Sequence, residues 1–172
     1  MMKSFLSNMY TQAMELNKKN ILSFIDENPN AKMLDLGCDN GEWTCSLGEK
    51  SVSKQLFGIA IVDEAADLAR SRGVSVTLGD RNDVFPYDSN NMDVIHANQV
   101  IEHVPNIDHF ISEVMRVLKP CGQVIISTEN GSSWINIVAA IMRWQIFSLT
   151  NVSVVSGGIG NPLALHKSSW AQ

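Results

Sequence analysis

The sequence predicts an α/β protein with a doubly wound, mainly parallel sheet. Short apolar segments alternate along the chain with segments of helical periodicity, a pattern in which right-handed crossovers join parallel strands. The segment 92–97 is apolar over most of its length, as expected for a strand that helices cover on both faces. We therefore expect three layers, with the sheet between two layers of helices.

The elements can be placed in order from this alternation. Residues 3–28 have apolar side chains at helical spacing and predict one or two amphipathic helices that end before Pro29. Further helices are predicted at 43–49, between Asp63 as N-cap and Gly73 as stop, and at 107–119. Apolar segments predict strands at 31–36, at 55–60 within the segment 54–61, and at 74–78, 92–97 and 123–128. The helix at 107–119 is predicted to bury one apolar stripe: Phe110, Ile111, Val114, Met115 and Leu118.

Composition excludes several classes of protein. The chain has 172 residues, 45% of them apolar, which suits one domain with a substantial core and not a disordered chain. A net charge of -5 gives no basic footprint for nucleic acid. The sequence has neither a long apolar stretch that would predict a spanning helix nor a signal-peptide pattern in residues 1–10. Three cysteines without C-x-x-C spacing predict free thiols and a cytoplasmic protein.

A glycine-containing turn after the first strand is the first candidate site. Asp35 lies near the end of the strand, Gly37 and Gly41 bracket the turn, and Asp39 lies between them. Glycine permits a close approach of backbone and ligand that a Cβ would block, so the turn is typical of nucleotide binding. An NAD-binding turn would need a third glycine where Thr44 stands. A turn that only joins strand to helix is the structural alternative.

The ends of the second and third strands hold two further candidate contacts. Nucleotide-binding α/β folds have an acid at the end of the second strand that accepts the ribose hydroxyl groups, but this chain has Ala60 there. Asp63 or Glu64 could replace it if the loop bends inward, although capping of the helix by Asp63 is the simpler interpretation. Asp80 and Arg81 follow the third strand.

The segment 85–122 carries the most specific motifs of the chain. It contains F-P-Y-D, then M-D-V-I, then I-E-H-V and then E-V-M-R-V-L-K-P-C-G. Together with the glycine turn, these motifs resemble the type 11 group of class I S-adenosylmethionine (SAM)-dependent methyltransferases. Met92 and Cys121 replace the usual Phe and Gly of that group, Asp39 replaces the middle glycine of its first motif, and Ala60 replaces its ribose-binding acid.

The resemblance implies a Rossmann-like α/β/α fold with strand order 3-2-1-4-5. It also implies methyl transfer from SAM, with S-adenosylhomocysteine (SAH) as product, and a contact of Asp80 with the adenine amino group. We expect a small-molecule or lipid-like acceptor and no nucleic acid, since the chain lacks the Asn/Asp-Pro-Pro-Tyr/Phe motif of enzymes that methylate base nitrogens. The residues assigned to the cofactor are Asp35, Gly37, Cys38, Asp39, Gly41, Ala60, Ile61, Asp80, Arg81, Asn98 and Gln99.

The I-E-H-V motif supplies the candidate catalytic residue. His103 is the candidate general base, and a structural pair of Glu102 and His103 that orients the next helix is the alternative. Gln99, Glu102 and His103 also resemble the metal-binding set of some O-methyltransferases, but Gln99 replaces a charged ligand, so we expect no metal site. A binding or regulatory protein with this fold is the second functional hypothesis, because Ala60 removes a cofactor contact.

We expect one domain over residues 1–172. It would consist of a helical cap in 1–30, a cofactor-binding core in 31–130, and an apolar helix with an irregular tail in 131–172. The C-terminal edge is expected to be shortened, because little chain remains for the antiparallel hairpin that ends the sheet in the resembling family. The apolar helix predicted at 132–149 would be a buried crossover, a lid, a membrane contact or a homodimer face through 134–149.

Overall fold

The computed structural model describes residues 2–80, 82–129 and 160–166. The helices are α1 (Met2–Ser23), α2 (Glu42–Ser51), α3 (Asp63–Ser71) and α4 (Ile107–Val117), with a 3₁₀ turn at Ile101–His103. The strands are β1 (Lys32–Leu36), β2 (Gln55–Ala60), β3 (Ser75–Leu78), β4 (Met92–Asn98), β5 (Leu118–Glu129) and β6 (Gly160–His166). None of the helices in the described ranges is long and apolar enough to cross a membrane.

The six strands form one sheet in the order β3-β2-β1-β4-β5-β6. The first five are parallel to one another, which confirms the predicted doubly wound sheet with order 3-2-1-4-5. Parallel strands place their carboxyl ends at one edge of the sheet, and ligands of open α/β sheets bind there, outside the point where the strand order reverses. In this chain that point lies between β1 and β4.

The strand β6 corrects the prediction of an irregular tail. Residues 160–166 run antiparallel to β5, in register from Gln123 opposite His166 to Glu129 opposite Gly160. The local sequence contains Gly160 and Pro162, which disfavour strands, so the pairing with a distant edge strand decides the conformation. Within the described residues, an antiparallel strand therefore follows β5 at this side of the sheet. The apolar helix predicted at 132–149 and its proposed dimer face lie outside the described residues.

The sheet buries a different cluster on each face. Side chains on β1 alternate, so Leu34 packs with α4 residues on one face while Met33 packs with α1, α2 and α3 residues on the other. This arrangement gives the three predicted layers. The same alternation directs Asp35 to the face that α1 and α2 cover, at the carboxyl end of the strand.

Two local predictions were wrong. Val62, not Asp63, occupies the N-cap of α3 and makes no side-chain capping bond; Asp63 begins the helix, where the exposed N–H groups favour an acid. In α4, Met115 is 38% exposed while Glu113 is buried. The helix is rotated from the predicted stripe because Glu113 accepts hydrogen bonds from the Phe85 amide at 2.8 Å and from the Arg116 guanidinium at 2.7 Å.

Candidate cofactor site

The turn between β1 and α2 has a conformation that requires glycine at two positions. Gly37 and Gly41 have φ angles of 90° and 78°, in the left-handed region that other L residues rarely adopt. A Cβ on Gly41 would lie 2.7 Å from the Cβ of Ala69 in α3. The Gly37 amide donates a hydrogen bond to the Ile59 carbonyl at 3.0 Å, which ties the turn to β2. The turn is thus held against both neighbouring elements.

Asp35 forms the centre of a buried hydrogen-bond network beneath this turn. Its Oδ1 lies 2.7 Å from Nδ1 of His96, the residue opposite it on β4. Its Oδ2 accepts a hydrogen bond from the Thr44 hydroxyl at 2.5 Å. The Trp43 indole N–H donates to Nε2 of His96 at 3.3 Å. Because an indole only donates, Nε2 is the accepting nitrogen, and the ring proton on Nδ1 points at the carboxylate.

The helix α1 is joined to the same edge of the sheet by polar contacts. The Asn17 amide donates to Oδ1 of Asn98 on β4 at 3.2 Å, and Oδ1 of Asn17 accepts from the Ser127 hydroxyl on β5 at 3.2 Å. Asn17 is 4% exposed, so these contacts satisfy an amide that is removed from water. They hold α1 over the carboxyl ends of two strands, where it forms one wall of a cavity.

A first cavity of about 520 Å³ lies between α1 and the turn. Asp35, His96 and Asn98 line it on the sheet side, and Trp43 lines it from α2. Its remaining wall carries charges of both signs, and the residues that supply them are Glu15, Lys18, Lys19, Asp39 and Glu42. A ligand part that carries both an ammonium and a carboxylate group fits such a wall.

A second cavity of about 300 Å³ lies on the β2 side of the turn. The described residues that line it are Gly37, Asp39, Ile59, Ala60, Ile61, Val62 and Ala65. Asp39 has the only polar side chain among them. Gly37 and Asp39 also line the first cavity, so the two spaces adjoin at the turn.

Several predicted site residues line neither cavity. Asp80 is exposed, and its Oδ1 accepts hydrogen bonds from the backbone amide of Asn82 at 2.9 Å and from its side chain at 2.6 Å. Gln99 directly follows β4 and has φ 54°, and its backbone amide donates a hydrogen bond to the Ser127 carbonyl of β5 at 2.8 Å. His103 is exposed in the 3₁₀ turn. Arg81 lies outside the described residues.

Cys38 lines the first cavity as a neutral thiol. Burial, and after it the charge of the nearby Asp35 carboxylate, together raise the pKa of its thiol from 9.0 to about 11. A thiol with that pKa is a poor nucleophile near neutral pH. Cys38 therefore serves as part of the wall and not as a reacting group.

The sequence pattern did not identify His96, Trp43 and Asn17 as residues of the site. The signal for His96 was a titratable residue inside an otherwise apolar strand, at the position that faces Asp35 once the parallel register is known. Asn17 carried no comparable signal, because its contacts are to strands that lie far from it in sequence.

The doubly wound sheet and the glycine turn after β1 define a Rossmann-like fold of the class I methyltransferase type. The chain belongs to the family described as "Methyltransferase domain", whose family model matches residues 34–126, more than half of the chain.

Two relatives that are similar in sequence are methyltransferases. The chain is 26% identical to the sterol 4-C-methyltransferase of Caenorhabditis elegans over 104 residues, which are 56% of this chain and 30% of that protein. It is 26% identical to the demethylmenaquinone methyltransferase of Staphylococcus epidermidis over 114 residues, 63% of this chain and 47% of that one. The chain thus spans about a third to a half of these relatives.

Solved structures share the fold. One is a SAM-dependent methyltransferase of Thermotoga maritima, described as a possible histamine N-methyltransferase, with a TM-score of 0.62 and 19% identity. The match covers 82% of this chain and 64% of that one.

Proposed function

We propose that this domain binds SAM and transfers its methyl group to a small-molecule or lipid-like acceptor. The observation that carries the proposal is the pair of cavities that adjoin at Gly37 and Asp39. SAM has an amino-acid end and a nucleoside end, so a site for it needs two different spaces that meet. A structural turn alone would not need such spaces on both sides.

The chemistry of each cavity suits one end of SAM. The first cavity has ammonium groups from Lys18 and Lys19 and carboxylates from Glu15 and Glu42, which complement the charges of a free amino acid. The second has apolar walls from Ile59 to Val62, as a nucleoside requires. Backbone groups of the turn complete the contact, because Gly37 lets the ligand approach closely. The other predicted glycine, Gly41, is buried against α3 and lines neither cavity.

The residues of this chain would act mainly by positioning. SAM supplies a methyl group that is already activated on a sulfonium, so the enzyme has to align the acceptor and exclude water. Here α1, held by Asn17 and Asn98, covers the cavity, and the Asp35–His96 pair forms a rigid floor. We infer that residues 1–30 are the cap of a single domain and that the core is 31–130.

The acceptor class rests on the relatives. The two similar enzymes named above act, by their names, on a sterol and on demethylmenaquinone, which are both large and apolar. We propose an acceptor of the same lipid-like kind for this chain. A cytoplasmic location stays a prediction from the free cysteines.

A binding or regulatory role is the second candidate, and Ala60 is the observation that favours it. Ala60 lines the nucleoside cavity at the position where an acid would accept the ribose hydroxyl groups. Without that contact the domain would bind SAM more weakly. A protein that acts by binding a partner and transfers no methyl group would not need tight SAM binding, whereas an enzyme would.

The experiment that separates the two candidates follows SAH formation by mass spectrometry. The chain is incubated with SAM and either reduced demethylmenaquinone or a sterol in detergent. The control is Gly37→Val, which changes a residue that lines both cavities and is first shown by circular dichroism to be folded. Acceptor-dependent SAH that the control abolishes supports the enzyme. SAM binding in dialysis with no SAH from either acceptor favours the binding role.

A further inference from the structure

The end of β2 offers no side-chain acceptor to a bound nucleoside. Ala60 is buried and lies in the wall of the second cavity, where a methyl group cannot accept a hydrogen bond. Ribose hydroxyl groups that leave water for this cavity would lose hydrogen bonds that nothing at Ala60 replaces. Another acceptor has to face the same space if a nucleoside is to bind well.

The neighbouring acids on α3 do not face that space. Asp63 and Glu64 are exposed in the first turn of the helix, and neither lines either cavity. The loop between β2 and α3 turns Ile61 and Val62 toward the cavity instead. The carboxylates nearest to Ala60 in sequence are therefore not the replacement.

Among the described residues, Asp39 satisfies the requirement. It supplies the only polar side chain that the described residues bring to the second cavity, and it also lines the first. Its side chain is exposed, and its carboxylate has no hydrogen-bond or ion-pair partner among the described residues. The carboxylate is therefore free to accept hydrogen bonds from a ligand.

The position of Asp39 matches the middle of a SAM molecule. Of the residues that the structure describes, the two cavities share only Gly37 and Asp39, so a ligand that fills both has to pass these residues. In SAM the ribose joins the amino-acid end to the base, so the ribose is the part that passes. Asp39 has φ 45°, a conformation that aspartate tolerates better than most residues but that glycine adopts without strain.

We propose that Asp39 accepts the ribose hydroxyl groups of the cofactor, in place of the acid that β2 lacks. This inference rests on the proposed function, because it concerns the same cofactor. It assigns the acid in the turn to a specific contact and explains how the domain binds a nucleoside with Ala60 at the end of β2. It also explains why an acid is present at a position where glycine would relieve strain.

Calorimetric titration with two ligands tests the proposal. The ligands are SAH and its 2′,3′-dideoxy analogue, which lacks both hydroxyl groups. Asp39→Asn keeps the shape of the side chain but removes its charge, and we expect it to weaken SAH binding roughly tenfold to a hundredfold. The same variant should bind the dideoxy analogue as the wild type does, because the contact is absent from that complex.

Two further variants control the experiment. Asp63→Asn removes a nearby exposed charge outside both cavities, and its affinity for SAH should match the wild type. Ala60→Asp in the Asp39→Asn background should restore affinity, since it returns an acceptor to the β2 position. Circular dichroism confirms that each variant is folded.

The outcomes separate this proposal from the proposed function. Suppose that the wild type binds SAH. If Asp39→Asn then lowers the affinities for SAH and for the dideoxy analogue equally, or lowers neither affinity, the ribose assignment is wrong while SAM binding stands. If the wild type binds neither ligand, the proposed function itself fails. Loss of affinity in Asp63→Asn instead of Asp39→Asn would move the contact to α3.

Discussion

Asp35 and His96 lie opposite each other on β1 and β4, with 2.7 Å between the carboxylate Oδ1 and the imidazole Nδ1. The side chains are 5% and 2% exposed, so the pair is shielded from water. The pair spans the point where the strand order reverses and where α/β sheets bind ligands. Thr44 and Trp43 from α2 complete its hydrogen bonds and thereby fix the helix that follows the glycine turn.

Replacing His96 should destabilise the fold. In His96→Leu the buried Asp35 carboxylate keeps only its bond from Thr44, so we expect a loss of about 2–4 kcal/mol in the free energy of unfolding. Urea denaturation measures this loss. His103→Leu is the matched control, because His103 is exposed, and it should change stability by less than about 0.5 kcal/mol. Equal losses in the two variants would contradict a structural role for the Asp35–His96 pair.

The glycine turn leaves no room for a side chain at Gly41. In Gly41→Ala the new Cβ would meet Ala69 at 2.7 Å and adopt an unfavourable φ of 78°, so we expect a loss of about 2–4 kcal/mol. Gly73→Ala shares the positive φ, at 90°, but its Cβ would enter open space, and it should cost only about 1–2 kcal/mol. Thermal melts of both variants provide the comparison. A larger loss for Gly73→Ala would contradict the close contact between the turn and α3.

Glu113 and Arg116 make stability depend on pH. The hydrogen bonds from Arg116 hold the pKa of the Glu113 carboxyl below its ordinary value, so the unfolded state binds a proton more readily than the native state. This stabilisation is present above the unfolded-state pKa, at about 4.3, and is lost as pH falls toward the native pKa. We expect Glu113→Gln to be less stable at pH 7 by about 1–3 kcal/mol.

Denaturation of Glu113→Gln and the wild type from pH 7 to pH 3 tests the sign of this effect. The difference between the two proteins should shrink on acidification. Ser112→Ala, an exposed change on the same helix that removes no charge, should show no such trend. A difference that grows toward low pH would show that the sign is wrong.

Cys38 should resist alkylation in the native protein. With a thiol pKa of about 11, only on the order of 0.1% of Cys38 is thiolate at pH 8, and its side chain is buried. Cys121 is exposed and should react with iodoacetamide first. Mass spectrometry of tryptic peptides follows both sites, with urea-unfolded protein as the reactive control. Native labelling of Cys38 at the rate of Cys121 would contradict the buried, neutral thiol.

The sequence predicted the sheet well where hydrophobic pattern alone determines a strand. β1 and β4 were placed within one residue at each end, because strands covered on both faces are apolar and short. The pattern was insufficient for β6, whose conformation depends on pairing with β5. It also misplaced the buried face of α4, because Glu113 is buried by hydrogen bonds that a hydrophobicity pattern does not reveal.

The candidate site was predicted in part for the same reason. Gly37, Gly41 and Asp35 lie in one turn and are recognisable together. His96 joins them only through the register of β1 and β4, and Asn17 only through the position of α1. Contacts between elements that are distant in sequence depend on the assembled fold, so one sequence does not reveal them.

Titration calorimetry of the wild-type chain with SAH measures directly whether this domain binds the cofactor. We expect one site per chain that saturates with a Kd below about 1 mM, equivalent to about -4.1 kcal/mol or better. NAD should give no binding heat, since Thr44 stands where its turn needs a third glycine. A folded sample that shows no heat with SAH at that concentration, or that binds NAD more tightly than SAH, would contradict the account.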